Sequence, residues 1–298
     1  MFDSLVHHRS GFVRKSVTTA LRVVRHWKRW QAQPEDYARR PPVFANSFPK
    51  SGTHLLDQLV GALPDVVNYG AIWGTMTSSF QFRERTPANV AALLASFAPG
   101  ELVRGHLHCD DAAIAGLAAK NVVNYFIYRD PRAVVLSEAH YLRDMNRFHR
   151  LHSYFKRTSS MTEAIALSIR GLGDEAPGIV YPNIAERFAR FAGWLRDPNC
   201  FCVKFEELVG AEQPAVVRRM AEFYARHRAE LMDVDAVAKQ MIGSIAPEKS
   251  HTFRSGKKSG WRNEFTPQLR RLFADTAGDL LVELGYEPDH SWADDTPN

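Results

Sequence analysis

Cysteine is scarce in this 298-residue chain, where Cys109, Cys200 and Cys202 are the whole set. An odd and sparse set does not make a disulfide framework, so the sequence reads as a protein of a reducing compartment, with a cytoplasmic location as the expectation. Cys200 and Cys202 alternate in an apparent strand and read as two small buried side chains on one face, since no C-x-x-C or His spacing accompanies them. Long apolar runs are lacking as well. No stretch approaches the ~20 residues of a membrane span, and the first residues show no signal-peptide core. The Walker phosphate loop, which needs two glycines five residues apart with Lys after the second, is missing too. No cluster of metal-ligand residues stands at a recognisable spacing, and no metal is expected.

What is present is enough apolar residue, 45% of the chain, to bury a full core. The net charge of +5 suits an anionic ligand, but it is local: residues 1–40 hold nine Lys and Arg against three Asp and Glu, and the remainder is at −1. With no interleaving of aromatic and basic residues, nucleic acid is not an expected partner. Residues 1–42 therefore read as a basic amphipathic extension, and residues 43–298 as the main domain. Within the extension, residues 11–30 place Val13, Val17, Ala20, Leu21, Val24 and Trp27 on one helical face. Packing of that face on the domain is the preferred reading, and contact with an anionic membrane surface is the alternative.

The organising stretch is Val43-Phe44-Ala45-Asn46-Ser47-Phe48-Pro49-Lys50-Ser51-Gly52-Thr53-His54. It reads as a buried strand, a tight loop, and a helix running through Leu55, Leu56, Leu59 and Val60. A strand–loop–helix junction with Gly, Lys and hydroxyls holds phosphate, because helix N–H groups and the helix dipole both favour an anion there. Further on, a second strand is expected over residues 65–69, an irregular aromatic segment over 69–82, and a helix over 87–97. The strand Glu101-Leu102-Val103-Arg104-Gly105-His106 ends in a polar cluster, with His108 as a bystander. Residues 121–128 form the most apolar strand, expected at the sheet centre. It runs into Arg129-Asp130-Pro131-Arg132, where Asp130 suits an N-cap and Pro131 the first helical position. Ser137 follows two turns along that helix.

Residues 141–162 are basic and aromatic and read as a loop or helix beside the site, or as a solvated face. Helices are expected over 183–195, 213–231 and 234–241, with a strand at 201–205 leading to Glu206-Glu207-Leu208. Near the end, Phe253-Arg254-Ser255-Gly256-Lys257-Lys258-Ser259-Gly260-Trp261 forms a Gly-rich basic loop. A helix then opens at Thr266 and Pro267 and stops at Gly285.

Four of these segments, in this order, resemble the motifs of the sulfotransferases that use 3′-phosphoadenosine 5′-phosphosulfate (PAPS). Pro49-Lys50-Ser51-Gly52-Thr53 resembles their 5′-phosphosulfate loop, Arg104-Gly105-His106 the strand that carries their general base, and Arg129 to Ser137 the segment that grips the 3′-phosphate. Arg254 to Trp261 resembles the loop that closes over that phosphate, with Ser255, Ser259 and Gly260 departing from the family pattern. The resemblance implies a single α/β domain, with a mainly parallel central sheet flanked by helices, related to P-loop kinases. It implies sulfuryl transfer from PAPS, without metal, to a hydroxyl or amine of a small-molecule acceptor. It makes His106 and Lys50 the catalytic pair, and it assigns PAPS to Lys50, Ser51, Gly52, Thr53, His54, Arg129, Ser137, Arg254, Ser255 and Gly256. Arg104 is a further candidate for the site. Leu55 stands where the family has an adenine-side aromatic, so adenine needs apolar packing or another ring, with Trp261 one candidate. The alternatives are a P-loop-type small-molecule kinase, disfavoured by the absent Walker order, and a nucleotide-binding module without turnover.

Overall fold

The computed structural model describes residues 11–173, 177–246 and 260–294. Five strands, β1 (Val43–Ser47), β2 (Val67–Gly74), β3 (Glu101–His106), β4 (Val123–Tyr128) and β5 (Cys200–Lys204), form one sheet in the order β2-β3-β1-β4-β5. Every pairing is parallel. The expected α/β architecture with helices flanking a parallel sheet therefore holds, and the parallelism is complete among the described strands.

The central strand is β1, not the more apolar β4, which lies one place out between β1 and β5. All five residues of β1 are buried, as befits a strand covered on both faces. From β1 the chain builds β2 and β3 on one side before crossing to β4 and β5 on the other. The carboxyl end of β1 is thus a topological switch point, where open α/β sheets bind ligands.

Strand β2 begins and ends later than its sequence suggests. Asp65 is left-handed at φ 62°, which breaks the chain before the strand. A register shift between Asn68 and Ala71 then lets β2 follow β3 as far as Gly74, paired with His106. Residues 69–74, expected to be irregular, are therefore strand. The sheet pairing, invisible to local periodicity, decides this.

Contacts divide this α/β domain into two compact units. The first holds the whole sheet. On one sheet face, Val43, Ala45, Tyr125, Ile127 and Val203 pack with Leu56 and Leu59 of the helix Thr53–Gly61 and with Val217 and Met220 of the helix Gln213–Ala225. The buried Tyr125 hydroxyl is satisfied by donating to the Met220 carbonyl at 2.7 Å. On the other face Phe44 meets Phe97 edge-on, and Phe97 meets Trp73. The basic helix Gly11–Gln31 also belongs to this unit and packs against β2.

Among the described residues the second unit comprises 76–85, 129–173, 177–192 and 260–294. It is helical, with Pro131–His140, Met161–Arg170, Ile184–Ala192 and Pro267–Glu283 as its principal helices. Residues 141–162 form a π-helical turn, Tyr141–Met145, and a short helix, His152–Lys156, closed by the His152 ring bonding to the Leu142 carbonyl at 2.7 Å. Thr266 caps the helix Pro267–Glu283, its hydroxyl accepting from Leu269 N–H at 3.3 Å, and Gly285 beyond its end is left-handed, both as expected.

Candidate active site

Two left-handed residues shape the loop after β1: Lys50 at φ 67° and Gly52 at φ 103°. Ser51 N–H donates to the Phe48 carbonyl at 3.2 Å and closes the turn. Gly52 is required on two counts. Its backbone lies where side chains are disfavoured, and a Cβ there would stand 2.6 Å from Cδ2 of Phe205, the buried aromatic that follows β5. As N-cap of the helix Thr53–Gly61, Gly52 offers no capping side chain. The first N–H groups of that helix have no intrahelical acceptor, and the helix dipole presents its positive end at the same place.

Ser51 is fully buried, and its Oγ has no hydrogen-bond partner among the described residues. An orphaned hydroxyl of this kind costs on the order of 1–3 kcal/mol until something supplies the bond. With Lys50 two residues before Gly52 and Thr53 one after, the loop fits a phosphate group.

His106 ends β3, directly beside this loop. A Cβ at Gly105 would lie 1.5 Å from the Trp73 carbonyl oxygen, so the close approach of β2 admits only glycine before the histidine. The His106 Nδ1 lies 2.8 Å from the Ser47 carbonyl oxygen, which can only accept. Nδ1 therefore carries the proton, and the Nε2 lone pair is left to act as a base. Burial holds the His106 pKa below the usual 6.5; the bond to Ser47 works against this, and the charge of Lys50 adds to it. The Ser47 hydroxyl lies 3.1 Å from His106 Nδ1 and 2.7 Å from Thr53 Oγ1, joining the imidazole to the first residue of the loop helix.

Neither Ser47 nor Asn46 was expected to serve the site. The Asn46 amide clamps Leu107, accepting from its N–H at 2.9 Å and donating to its carbonyl at 3.3 Å. Trp194 Nε1–H donates to the same carbonyl at 2.9 Å, so the chain leaving His106 is held from two sides. The available signal was two polar residues closing an otherwise apolar buried strand. Arg104, the further candidate for the site, pairs through its guanidinium with the buried Asp57 of the loop helix at 2.7 Å.

In the second unit, Asp130 caps the helix Pro131–His140, its carboxylate accepting from Arg132 N–H at 2.9 Å. Arg129 precedes this cap and Ser137 stands two turns along, both half-buried. The second Arg of the motif is structural. Arg132 is 2% exposed, chelated by Asp130, ion-paired with Glu287, and flanked by Trp261 and Trp292 at 3.8 and 4.6 Å from the guanidinium carbon to the ring centroids. Trp261 is thereby occupied with Arg132. Arg254, Ser255 and Gly256 lie outside the described residues.

The two strand cysteines share a face as read, but Cys202 is half-buried rather than buried. Cys200 is buried, and Cys202 Sγ stands 3.7 Å from it on the same strand face. Burial raises the pKa of the Cys200 thiol, and burial with Asp197 and Asp110 nearby takes Cys109 to about 11, so both are neutral thiols at pH 7. Among the described residues no group of three His, Cys, Asp or Glu is placed to hold a metal ion, and no helix is long and apolar enough to cross a membrane.

A glycine-shaped loop at the switch point of a parallel sheet, with a histidine ending the neighbouring strand, belongs to a P-loop-like α/β protein. The chain belongs to the sulfotransferase domain family, whose model matches residues 40–285. Among solved structures it resembles a mouse sulfotransferase complexed with PAP, at 19% identity and a TM-score of 0.55, covering 86% of this chain and 90% of that one. It also resembles retinol dehydratase, in complex with androsterone and inactive cofactor PAP, at 17% identity, a TM-score of 0.52, and coverage of 84% and 83%. A second complex of retinol dehydratase, with retinol and PAP, is similar at 17% identity, a TM-score of 0.52 and 82% coverage of each chain. At this level of identity the likeness concerns the fold. No curated protein sequence matches the chain.

Proposed function

We propose that this sulfotransferase moves a sulfuryl group from PAPS to a hydroxyl or amine of a small-molecule acceptor, with His106 as general base and Lys50 at the leaving phosphate. The observation that carries the reading is the 2.8 Å contact between His106 Nδ1 and the Ser47 carbonyl, which leaves Nε2 unprotonated beside a phosphate loop. His106 Nε2 takes the proton of the acceptor as its oxygen or nitrogen bonds to sulfur. The bond from sulfur to the 5′-phosphate oxygen breaks in line, and Lys50 meets the charge that develops on that oxygen. The products are the sulfated acceptor and PAP, and the imidazolium returns its proton to solvent.

Such a transfer asks little covalent work of the protein; positioning and charge stabilisation carry the rate, as in phosphoryl transfer. Ser51, Gly52, Thr53 and His54 hold the 5′-phosphate, and the orphaned Ser51 hydroxyl and uncapped helix start support that role. The motif resemblance assigns the 3′-phosphate to Arg129, Ser137, Arg254 and Gly256. That two similar structures hold androsterone and retinol, both alcohols, supports a small hydroxylated acceptor.

Calorimetry with adenosine 3′,5′-bisphosphate and with ATP, without Mg²⁺, tests the donor. The bisphosphate binds much more tightly, because only it fills a 3′-phosphate site. Equal affinities would remove the PAPS reading in favour of a kinase. Transfer of labelled sulfate from PAPS to a phenol or alcohol then separates an enzyme from a binding module.

A further inference from the structure

The helix Gly11–Gln31 carries Arg14, Lys15, Arg22, Arg25, Lys28 and Arg29 and no Asp or Glu. At 3.6 residues per turn its second half divides into three stripes. Leu21, Arg25 and Lys28 form the stripe that packs on the sheet unit. Arg25 is buried and ion-paired with the buried Glu101, and it donates to the Ser96 carbonyl at 2.7 Å. It also lies over the Trp73 ring at 5.2 Å, while Lys28 stands 6.0 Å from the Tyr69 ring. Arg22 and Arg29 stand on an exposed cationic stripe, with His26 between them. The third stripe is apolar and faces outward: Val23 is 70% exposed, Val24 43%, Trp27 56% and Trp30 83%.

The helix packs on the domain as expected, but not through the whole of its apolar face. Leu21 packs, but Val24 and Trp27 do not. An arginine sits where a core residue was expected, and its pairing with Glu101 fixes the rotation of the helix. Helix rotation held by a buried ion pair, with two tryptophans turned out beside a row of cations, is unusual for a helix that serves only the core.

We propose that this face docks on an anionic lipid bilayer. The apolar stripe enters the headgroup boundary, where tryptophan is favoured, and the exposed cations meet the negative surface. Charge complementarity selects this occupant: a helix with several cations and no acid attracts acidic lipid at about fivefold in partitioning for each cation near the surface. Docking is independent of the transfer chemistry proposed above.

The test is co-sedimentation of the full chain with vesicles of phosphatidylcholine, with and without phosphatidylserine. Wild type sediments with the phosphatidylserine vesicles and is released by high salt. Trp27→Ser with Trp30→Ser abolishes sedimentation, and Arg22→Gln with Arg29→Gln weakens it by roughly 25-fold. All four positions are exposed, and unchanged melting temperatures establish that the variants fold. No sedimentation of wild type, equal sedimentation with pure phosphatidylcholine, or sedimentation untouched by either pair of substitutions would overturn the proposal. So would a concentration-dependent dimer, without lipid, that the tryptophan substitutions dissociate, since the face would then belong to a second copy.

Discussion

The His106 Nδ1 stands 2.8 Å from the Ser47 carbonyl oxygen, and this contact determines which imidazole nitrogen can take a proton. Ser47 closes β1 and His106 closes β3, adjacent parallel strands whose register pairs Asn46 with Gly105. The tautomer of this imidazole is thus a property of sheet register.

Replacing His106 by alanine should lower single-turnover sulfuryl transfer by roughly the 10²–10⁴-fold associated with general-base catalysis. Affinity for adenosine 3′,5′-bisphosphate should stay near wild type, because the base serves the acceptor side. Acceptors with more acidic hydroxyls should recover part of the loss. An unchanged dependence of rate on acceptor acidity between wild type and His106→Ala would remove the base assignment.

The pH profile reports the neighbourhood of the same ring. Burial first, and the charge of Lys50 in addition, hold the His106 pKa below 6.5, so the base is neutral at pH 7 and becomes protonated only as pH falls further. The acid limb of kcat/KM should therefore lie below pH 6.5 in wild type. Lys50→Met removes one of the two depressing influences, so the limb should move to higher pH while the plateau rate drops. Profiles normalised to their own plateaus will show the shift. A limb that stays put, or moves down, would separate Lys50 from His106.

Gly52→Ala tests the loop geometry. The left-handed backbone and a Cβ 2.6 Å from Phe205 Cδ2 should together cost about 2–4 kcal/mol, read as a lower midpoint of urea unfolding. Bisphosphate affinity should fall as well. Adding Phe205→Leu should relieve the contact and return part of the stability, but not the backbone share. Full restoration would show that φ at residue 52 carries no cost.

Arg132 is predicted to be structural, unlike its neighbour Arg129. Arg132→Ala leaves the Asp130 and Glu287 carboxylates without their cation and opens the space between Trp261 and Trp292, at a cost of about 3–5 kcal/mol. Arg132→Lys should rescue little, because an ammonium cannot reproduce the planar fork between two rings. Thermal melting checks both. A melting temperature within a degree or so of wild type in either variant would refute the assignment.

The sequence by itself determined the parts that are local in chemistry. The strand from Val43, the turn through Lys50 and Gly52, the Asp130–Pro131 and Thr266–Pro267 helix starts and the small residue before His106 all depend on neighbours in the chain, and all are legible there. Only the tertiary structure decided the rest. The central strand is β1 because pairing order, not apolarity, sets position in a sheet. The proton of His106 is placed by a carbonyl 59 residues away. Arg132 belongs to two tryptophans far along the chain, and Arg25 to Glu101 across 76 residues. A helical periodicity marks which residues share a face, but it cannot say which face turns inward. Here a buried ion pair settled that question against the apolar stripe.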